Sequence, residues 1–182
     1  NEKKLQWIGE KNWNYRCEFV PRKGVLNKKN QVIYFEGIDT YADIFLNGEK
    51  ILSSNNMFHP WEAEISNLLE DGKNELEIYF RSPIDEVSDQ MAQLNYQLPA
   101  DNDQAGKTSP FSRKAPFHYG WDWGPCFVTS GIWRNVSLIG WDGWHVKRSS
   151  IINCGVEPNL AHLLLELDIM SELNEKAFIF IE

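Results

Sequence analysis

Two short extended segments joined by an Asn-Gly dipeptide constrain the fold of this chain more than any other feature. Residues 42–46 place apolar side chains at every second position, which is the period of a half-buried β-strand. Asn47 and Gly48 follow, and residues 49–52 return as a second extended segment. Asn and Gly accept the positive φ angles that a two-residue type I′ turn requires, so the sequence predicts an antiparallel β-hairpin.

Other segments have the composition of short strands, and one has the pattern of a helix. The strand-like segments are residues 15–20, 31–36, 76–80 and 131–139. A short helix is expected after residue 82, because Ser82 can cap its first turn and Pro83 suits the first helical position. Apolar residues then recur at helical spacing as far as Leu94. Many short strands separated by turn signals predict an all-β sandwich with one short helix beside it.

A second sandwich is expected to begin after Trp141. Three further strand-like segments follow there, at residues 145–152, 163–169 and 177–181. A seven-stranded sandwich of the immunoglobulin type needs about 100 residues, and only about forty remain. The sequence therefore predicts a first domain over residues 1–141 and the truncated beginning of a second over residues 142–182.

Charge and composition exclude several classes of partner. The net charge is −8, whereas binding to a nucleic-acid backbone requires clustered Lys and Arg. No apolar run approaches the roughly 18 residues that a membrane-spanning helix needs. The three cysteines and four histidines are scattered, without the spacing of metal ligands or of a disulfide framework. We therefore expect no nucleic acid, no membrane, no metal and no cofactor.

The strongest functional signal is a carboxylate between two indoles. Trp121, Asp122 and Trp123 are flanked by Gly120 and by Gly124-Pro125, which exclude the interior of a strand or helix. Aromatic faces pack on the C–H face of a pyranose ring, and an ionised carboxylate accepts sugar hydroxyls in bonds worth about 1.5–3 kcal/mol each. Two interpretations stay open from the residues alone. Either this loop binds a sugar, or Asp122 caps a backbone turn while both tryptophans fill the core.

Several longer motifs extend this signal. They are FEGIDTYADIFLNG at residues 35–48, NMFHPW at residues 56–61, and a set formed by Arg113-Lys114, WDWGP at residues 121–125 and GIWR at residues 131–134. The first resembles the sugar-binding jelly-roll domain of glycoside hydrolase family 2, and the second is similar to the segment that follows it in β-mannosidases. The third set points to β-mannosidases rather than to the β-galactosidase or β-glucuronidase branches. The resemblance covers residues 6–141.

The resemblance implies a fold and a role for the loop. The fold would be a galactose-binding-like jelly roll that lacks its first strands, followed by the start of an immunoglobulin-like domain. The loop would reach into the active-site pocket of a (β/α)₈ barrel, where Asp122 would bind hydroxyls of the terminal mannose and Trp121 and Trp123 would shape the pocket wall. Such a wall implies an exo-acting enzyme that removes single β-D-mannose residues from the non-reducing end of an oligosaccharide or glycan.

The same resemblance implies that this chain carries no catalytic residue. Enzymes of the family retain anomeric configuration with two glutamates about 5–5.5 Å apart, and both belong to the barrel. The chain would then be an inactive N-terminal fragment that needs the barrel as its partner. Cys126 departs from the pattern, because a basic residue is expected there in many bacterial members, and this puts the support of the loop in doubt. Arg113 and Lys114 are expected to brace the loop or to lie on the surface rather than to contact substrate, and His118 is expected to be structural. Trp133 and Trp141 are expected to pack in the core.

Two other functions remain open at this stage. A free-standing carbohydrate-binding module would display aromatic residues along an exposed sheet face, whereas here they concentrate on one loop. A family 2 hydrolase of another specificity would share the fold but release a different sugar. The sequence gives no indication of the compartment.

Overall fold

The computed structural model describes residues 2–171, 178 and 180. Strands dominate this part of the chain. They are β1 (Trp13–Phe19), β2 (Asn30–Phe35), β3 (Ile38–Asp39), β4 (Tyr41–Leu46), β5 (Glu49–Asn55), β6 (Trp61–Glu64), β7 (Asn74–Phe80), β8 (Gly131–Ile132), β9 (Val136–Trp141), β10 (Trp144–Glu157) and β11 (Leu160–Ser171). The α-helices are α1 (Lys23–Leu26) and α2 (Ser88–Ala92), and short 3₁₀ turns occur at Glu2–Lys4, Gln6–Ile8, Asp85–Val87, Ser109–Phe111 and Pro116–Tyr119. None of the described helices is long and apolar enough to cross a membrane.

Two antiparallel sheets pack face to face and form the core. One sheet has the order β1-β7-β4-β5, and the other has the order β6-β2-β9. Buried side chains alternate with less buried ones along β2 and β4, so each strand contributes one face to the interior. Phe35 of β2, Ile44 of β4 and Phe80 of β7 lie fully buried in one apolar cluster. This is the predicted all-β sandwich.

The predicted hairpin is confirmed. Strands β4 and β5 pair antiparallel, with Leu46 opposite Glu49. Asn47 and Gly48 between them have φ angles of 52° and 83°, as a type I′ turn requires. The Asn47 side chain also donates hydrogen bonds to the Leu68 carbonyl (2.8 Å) and to Asn74 Oδ1 (2.9 Å), which ties the hairpin tip to the neighbouring turn.

The predicted strand over residues 131–139 is interrupted. The short strand β8 pairs with β3, and β9 pairs with β2, so the chain moves from one sheet to another between them. Trp133 lies in this gap and donates its backbone N–H to the Gly37 carbonyl at 3.2 Å. Its indole was expected to fill the core but is 45% exposed.

The predicted helix after residue 82 is shorter than expected. Ser82 does cap it, because its Oγ accepts the N–H groups of Ile84 and Asp85 at 3.3 and 3.2 Å. The backbone then forms a 3₁₀ turn before the five residues of α2. Only Val87 is buried beneath it, so little apolar contact is available to stabilise a longer helix.

Residues 144–171 form one long hairpin beside the sandwich. Strands β10 and β11 pair antiparallel over most of their length, and their side chains are largely exposed. The hairpin contacts the sandwich through a stack of Trp141 on His145, with ring centroids 4.7 Å apart, and through an ion pair between Lys147 and Glu62. The third strand expected, over residues 177–181, lies mostly outside the described residues. The division into domains at residue 141 stays a prediction.

Candidate functional site

A long segment without strands leaves the sandwich after α2 and returns at β8. Asp103 organises its first half. This carboxylate is buried and accepts the backbone N–H of Ala105 at 2.6 Å and that of Ser109 at 2.8 Å. A buried carboxylate that receives two backbone donors holds both in fixed positions.

Lys114 fastens the second half of the segment. Its side chain is fully buried, and its ammonium forms an ion pair with Asp39 at the end of β3 and donates to the Thr129 carbonyl at 2.6 Å. Because Lys114 and Thr129 flank residues 115–128, one ammonium ties both ends of that stretch to the sandwich. Burial lowers the pKa of Lys114, and the Asp39 carboxylate opposes that shift. Lys114 therefore has the bracing role expected of it, whereas Arg113 is exposed.

The segment turns sharply just before the tryptophans. Gly120 has a φ of +108°, a conformation that side-chain-bearing residues rarely adopt. A Cβ atom at this position would also lie 2.9 Å from Gln104 Nε2. Trp121 and Gly124 then exchange backbone hydrogen bonds of 3.4 Å in each direction, which closes the turn around Asp122 and Trp123.

The turn projects both indoles and the carboxylate outward. Trp123 is 82% exposed and Trp121 is 38% exposed, and their rings meet edge to face with centroids 5.4 Å apart. Asp122 is exposed, and its Oδ1 accepts the N–H of Trp123 at 3.1 Å. The other oxygen, Oδ2, has no hydrogen-bond partner within the described part of the chain. The interpretation in which both tryptophans fill the core is therefore wrong.

An open cavity of 510 Å³ lies against this turn. The aromatic rings that line this cavity belong to Phe117, His118, Trp121, Trp123 and Phe127. Asp122 lies between Trp121 and Trp123 in the chain and has a carboxylate oxygen without a partner in the described residues, although Asp122 itself does not line the cavity. Flat aromatic walls with one adjacent acceptor are a combination suited to a small polyhydroxylated ligand.

Cys126 lies beneath the turn and supports it by packing. It is buried against Tyr119 and Val128. Its backbone N–H donates to Glu2 Oε1 at 2.6 Å, and its carbonyl accepts from Gln6 Nε2 at 2.9 Å, so the N-terminal turns hold this part of the loop. Burial raises the pKa of the Cys126 thiol, which keeps the side chain neutral.

His118 links the turn to the buried ion pair, a role that the sequence did not reveal. Its Nδ1 lies 3.3 Å from the Phe127 carbonyl, and its ring stacks on Phe117 with centroids 4.6 Å apart. Its Nε2 lies 4.0 Å from Asp39 Oδ2. Burial, and then the nearby Lys114 ammonium, lower the pKa of His118 from 6.5, so the ring is neutral at pH 7.

No metal-binding cluster of three or more His, Cys, Asp or Glu side chains occurs among residues 2–171, 178 and 180. The exposed indoles and the carboxylate of this turn can bind and orient a ligand.

Comparison with known families shows to which protein family the chain belongs. Residues 1–134 match the galactose-binding-domain-like region of glycosyl hydrolase family 2. The chain belongs to glycoside hydrolase family 2.

The curated relatives of this family 2 chain include β-mannosidases. It is 40% identical over 139 residues to β-mannosidase B of Thermothelomyces thermophilus, and 36% identical over 140 residues to β-mannosidase B of Aspergillus niger. Each match covers 76% of this chain but 16% of the relative, so the chain spans about one sixth of those proteins. The resemblance to β-mannosidases inferred from the motifs is thereby confirmed.

Solved structures agree on the fold of this family 2 chain. The crystal structure of a β-D-mannosidase from Dictyoglomus thermophilum matches 94% of this chain and 21% of its own, with a TM-score of 0.85 and 37% identity. A β-glucuronidase from an uncultured Clostridium matches with a TM-score of 0.58 at 20% identity, which supports the fold alone. The jelly-roll sandwich expected from the resemblance is confirmed.

Proposed function

We propose that this chain is the N-terminal, substrate-recognising part of a retaining exo-β-mannosidase. In this proposal the loop with Trp121, Asp122 and Trp123 lines the subsite for a terminal non-reducing β-D-mannose, and a (β/α)₈ barrel supplies both catalytic glutamates. The level of identity to two β-mannosidases and the structural match to a third support the choice of sugar. A free-standing carbohydrate-binding module is less favoured, because these relatives carry the matching region as one sixth of a longer protein.

The exposure of Asp122 between two indoles carries the proposal. Oδ2 is free to accept a sugar hydroxyl, and a charge-assisted hydrogen bond of that kind is worth about 1.5–3 kcal/mol. An aromatic side chain as exposed as Trp123 keeps a large apolar area in water, which a bound pyranose would cover. The cavity beside the turn, at 510 Å³, falls in the range of about 300–1,000 Å³ that is typical of small-molecule sites.

The bracing of the loop supports a recognition role. A binding group contributes most when its position is fixed before the ligand arrives. Lys114 fastens both ends of residues 115–128, Gly120 sets the turn and Cys126 packs beneath it. Asp122 is thereby presented on a firm base, although the tip itself is exposed.

The proposal can be tested in a chimaera. Residues 1–141 of this chain would replace the aligned segment of the Thermothelomyces β-mannosidase B, and hydrolysis of an aryl β-mannoside would be measured. We expect the chimaera to be active and Asp122→Ala to lower kcat/KM at least tenfold, about 1.4 kcal/mol of transition-state stabilisation. Asp71→Ala, which removes an exposed carboxylate in a distant turn, serves as the matched control and should leave kcat/KM unchanged.

Two results would contradict the proposal. An Asp122→Ala chimaera within twofold of its parent would mean that the carboxylate does not contact the substrate. A chimaera that is folded but hydrolyses a β-galactoside or a β-glucuronide in preference to the β-mannoside would assign another specificity to this loop. The 182-residue chain alone is expected to be inactive on all three substrates.

A further inference from the structure

A second cavity opens beside the first, on the other side of His118 and Phe117. It measures 560 Å³, and both of those residues line it as well as the first cavity. Phe58 and Trp133 form its outer walls, and Asp39 lies at its floor. Nothing in the resemblance to β-mannosidases assigns a role to this cavity.

The walls of the second cavity are exposed aromatic surfaces. Phe58 is 62% exposed and Phe117 is 65% exposed. Trp133 is held in place from two sides, because its indole packs directly against Gly37 and the Arg134 guanidinium lies 4.1 Å from its ring centroid. Apolar side chains this exposed and this close together are more typical of a binding surface than of an ordinary part of the protein exterior.

The floor of the cavity presents two hydrogen-bond acceptors close together. Since a carbonyl can only accept, the contact of His118 Nδ1 with the Phe127 carbonyl requires the proton on Nδ1. In the neutral ring Nε2 is then an acceptor, and it lies 4.0 Å from Asp39 Oδ2, which is too far for a direct hydrogen bond. Asp39 accepts from Thr40 and from Lys114, and each carboxylate oxygen retains a second lone pair.

Two acceptors at this separation match a pair of neighbouring hydroxyls. The oxygens of a gauche vicinal diol can each donate one proton, one to Nε2 and one to Oδ2, at ordinary hydrogen-bond lengths of about 2.8 Å. The hydroxyls of Thr129 and Ser130, which also line the cavity, have no hydrogen-bond partner among the described residues and could bind further oxygens of the same ligand.

We propose that the second cavity binds a pyranose ring through a vicinal diol held by His118 and Asp39, with Phe58 and Phe117 against the ring. The site is argued from this geometry, whereas the choice of a mannoside as ligand rests on the proposed function. A chain with two adjacent sugar contacts would favour oligosaccharides over single residues, because the second contact adds binding without a second loss of translational freedom.

The test is a titration of the 182-residue chain with β-1,4-mannobiose, in which binding is monitored by NMR. The indole N–H signals of Trp133 and Trp123 report separately on the second and the first cavity. We expect the Trp133 signal to shift on titration and Phe58→Ala to weaken the affinity derived from it at least fivefold. Tyr96→Ala removes an aromatic ring of equal exposure (63%) outside both cavities and should leave that affinity unchanged.

Small diols separate the hydrogen-bonding part of the proposal from the aromatic part. We expect cis-1,2-cyclohexanediol to shift the signals of His118 at concentrations where cyclohexanol has no effect. Equal effects of the two compounds, or a Trp133 signal that does not move up to saturation of the sugar's solubility, would overturn the proposal. Shifts confined to Trp123 would also overturn it while leaving the first contact intact. The chimaera assay is independent of all these results, so failure of the proposed function would be recognised separately.

Discussion

Removal of the Lys114 ammonium tests the physical basis of the loop most directly. In Lys114→Met the side chain keeps its length but loses its charge, so Asp39 remains as a buried carboxylate without its cation. Breaking a buried ion pair at one partner typically costs about 3–5 kcal/mol. The hydrogen bond to the Thr129 carbonyl is lost as well, which adds about 1 kcal/mol. We expect the free energy of unfolding to fall by about 5 kcal/mol in total.

The assay is urea denaturation of the parent and the variant, with unfolding monitored by tryptophan fluorescence. Lys73→Met is the matched control, because Lys73 and Glu18 form an ion pair of 2.7 Å that is largely exposed. Exposed pairs contribute about 0–1 kcal/mol, so the control should unfold close to the parent. The difference between the two variants isolates the effect of burial.

A double variant separates the charge from the packing. In Asp39→Leu/Lys114→Met both charges are replaced by apolar groups, and such replacements are often neutral or stabilising. In this variant the Thr40 hydroxyl loses its acceptor, and this loss destabilises the double variant by about 1–3 kcal/mol. We expect the double variant to be more stable than Lys114→Met. A single variant within 1 kcal/mol of the parent, or a double variant less stable than the single one, would refute the reasoning.

Two further predictions concern the neighbourhood of the turn. Gly120→Ala forces a side chain into a left-handed backbone and within 2.9 Å of Gln104 Nε2, so we expect a loss of about 1–3 kcal/mol in urea denaturation, whereas Gly24→Ala, with open space around it, should cause no loss. For His118, whose pKa burial and then Lys114 lower from 6.5, we expect an NMR titration midpoint below 6.5. Because the unfolded chain then binds the proton first, this histidine should destabilise the fold as pH falls below 6.5, and a midpoint at or above 6.5 would contradict that.

Features set by neighbouring residues were predictable from the sequence. The Asn47-Gly48 turn follows from the φ angles that these two residues accept, and its two-residue length sets Leu46 opposite Glu49. The bend before Trp121 follows in the same way from its flanking glycines and proline. In each case the physical cause lies within a few positions along the chain.

Features set by distant contacts were not predictable from the residues alone. Asp39 and Lys114 are 75 positions apart, and neither position differs in its local sequence from an ordinary surface charge. The break between β8 and β9 has the same origin, because it depends on which strands each segment pairs with. Trp133 was assigned to the core by its chemistry, but contacts with Gly37 place it at the rim of a cavity instead.

The buried pair also explains how a loop can be firm at its base and exposed at its tip. The apolar cluster of Tyr119, Cys126 and Val128 supports the loop from beneath, but packing Trp121 and Trp123 into the core as well would remove them from the surface. A charged group that is satisfied at two points, by Asp39 and by the Thr129 carbonyl, fixes the ends without using those rings. The indoles then stay in water, where their uncovered area becomes available for binding. Weakening the buried pair should therefore impair ligand binding even though no atom of Lys114 lines either cavity.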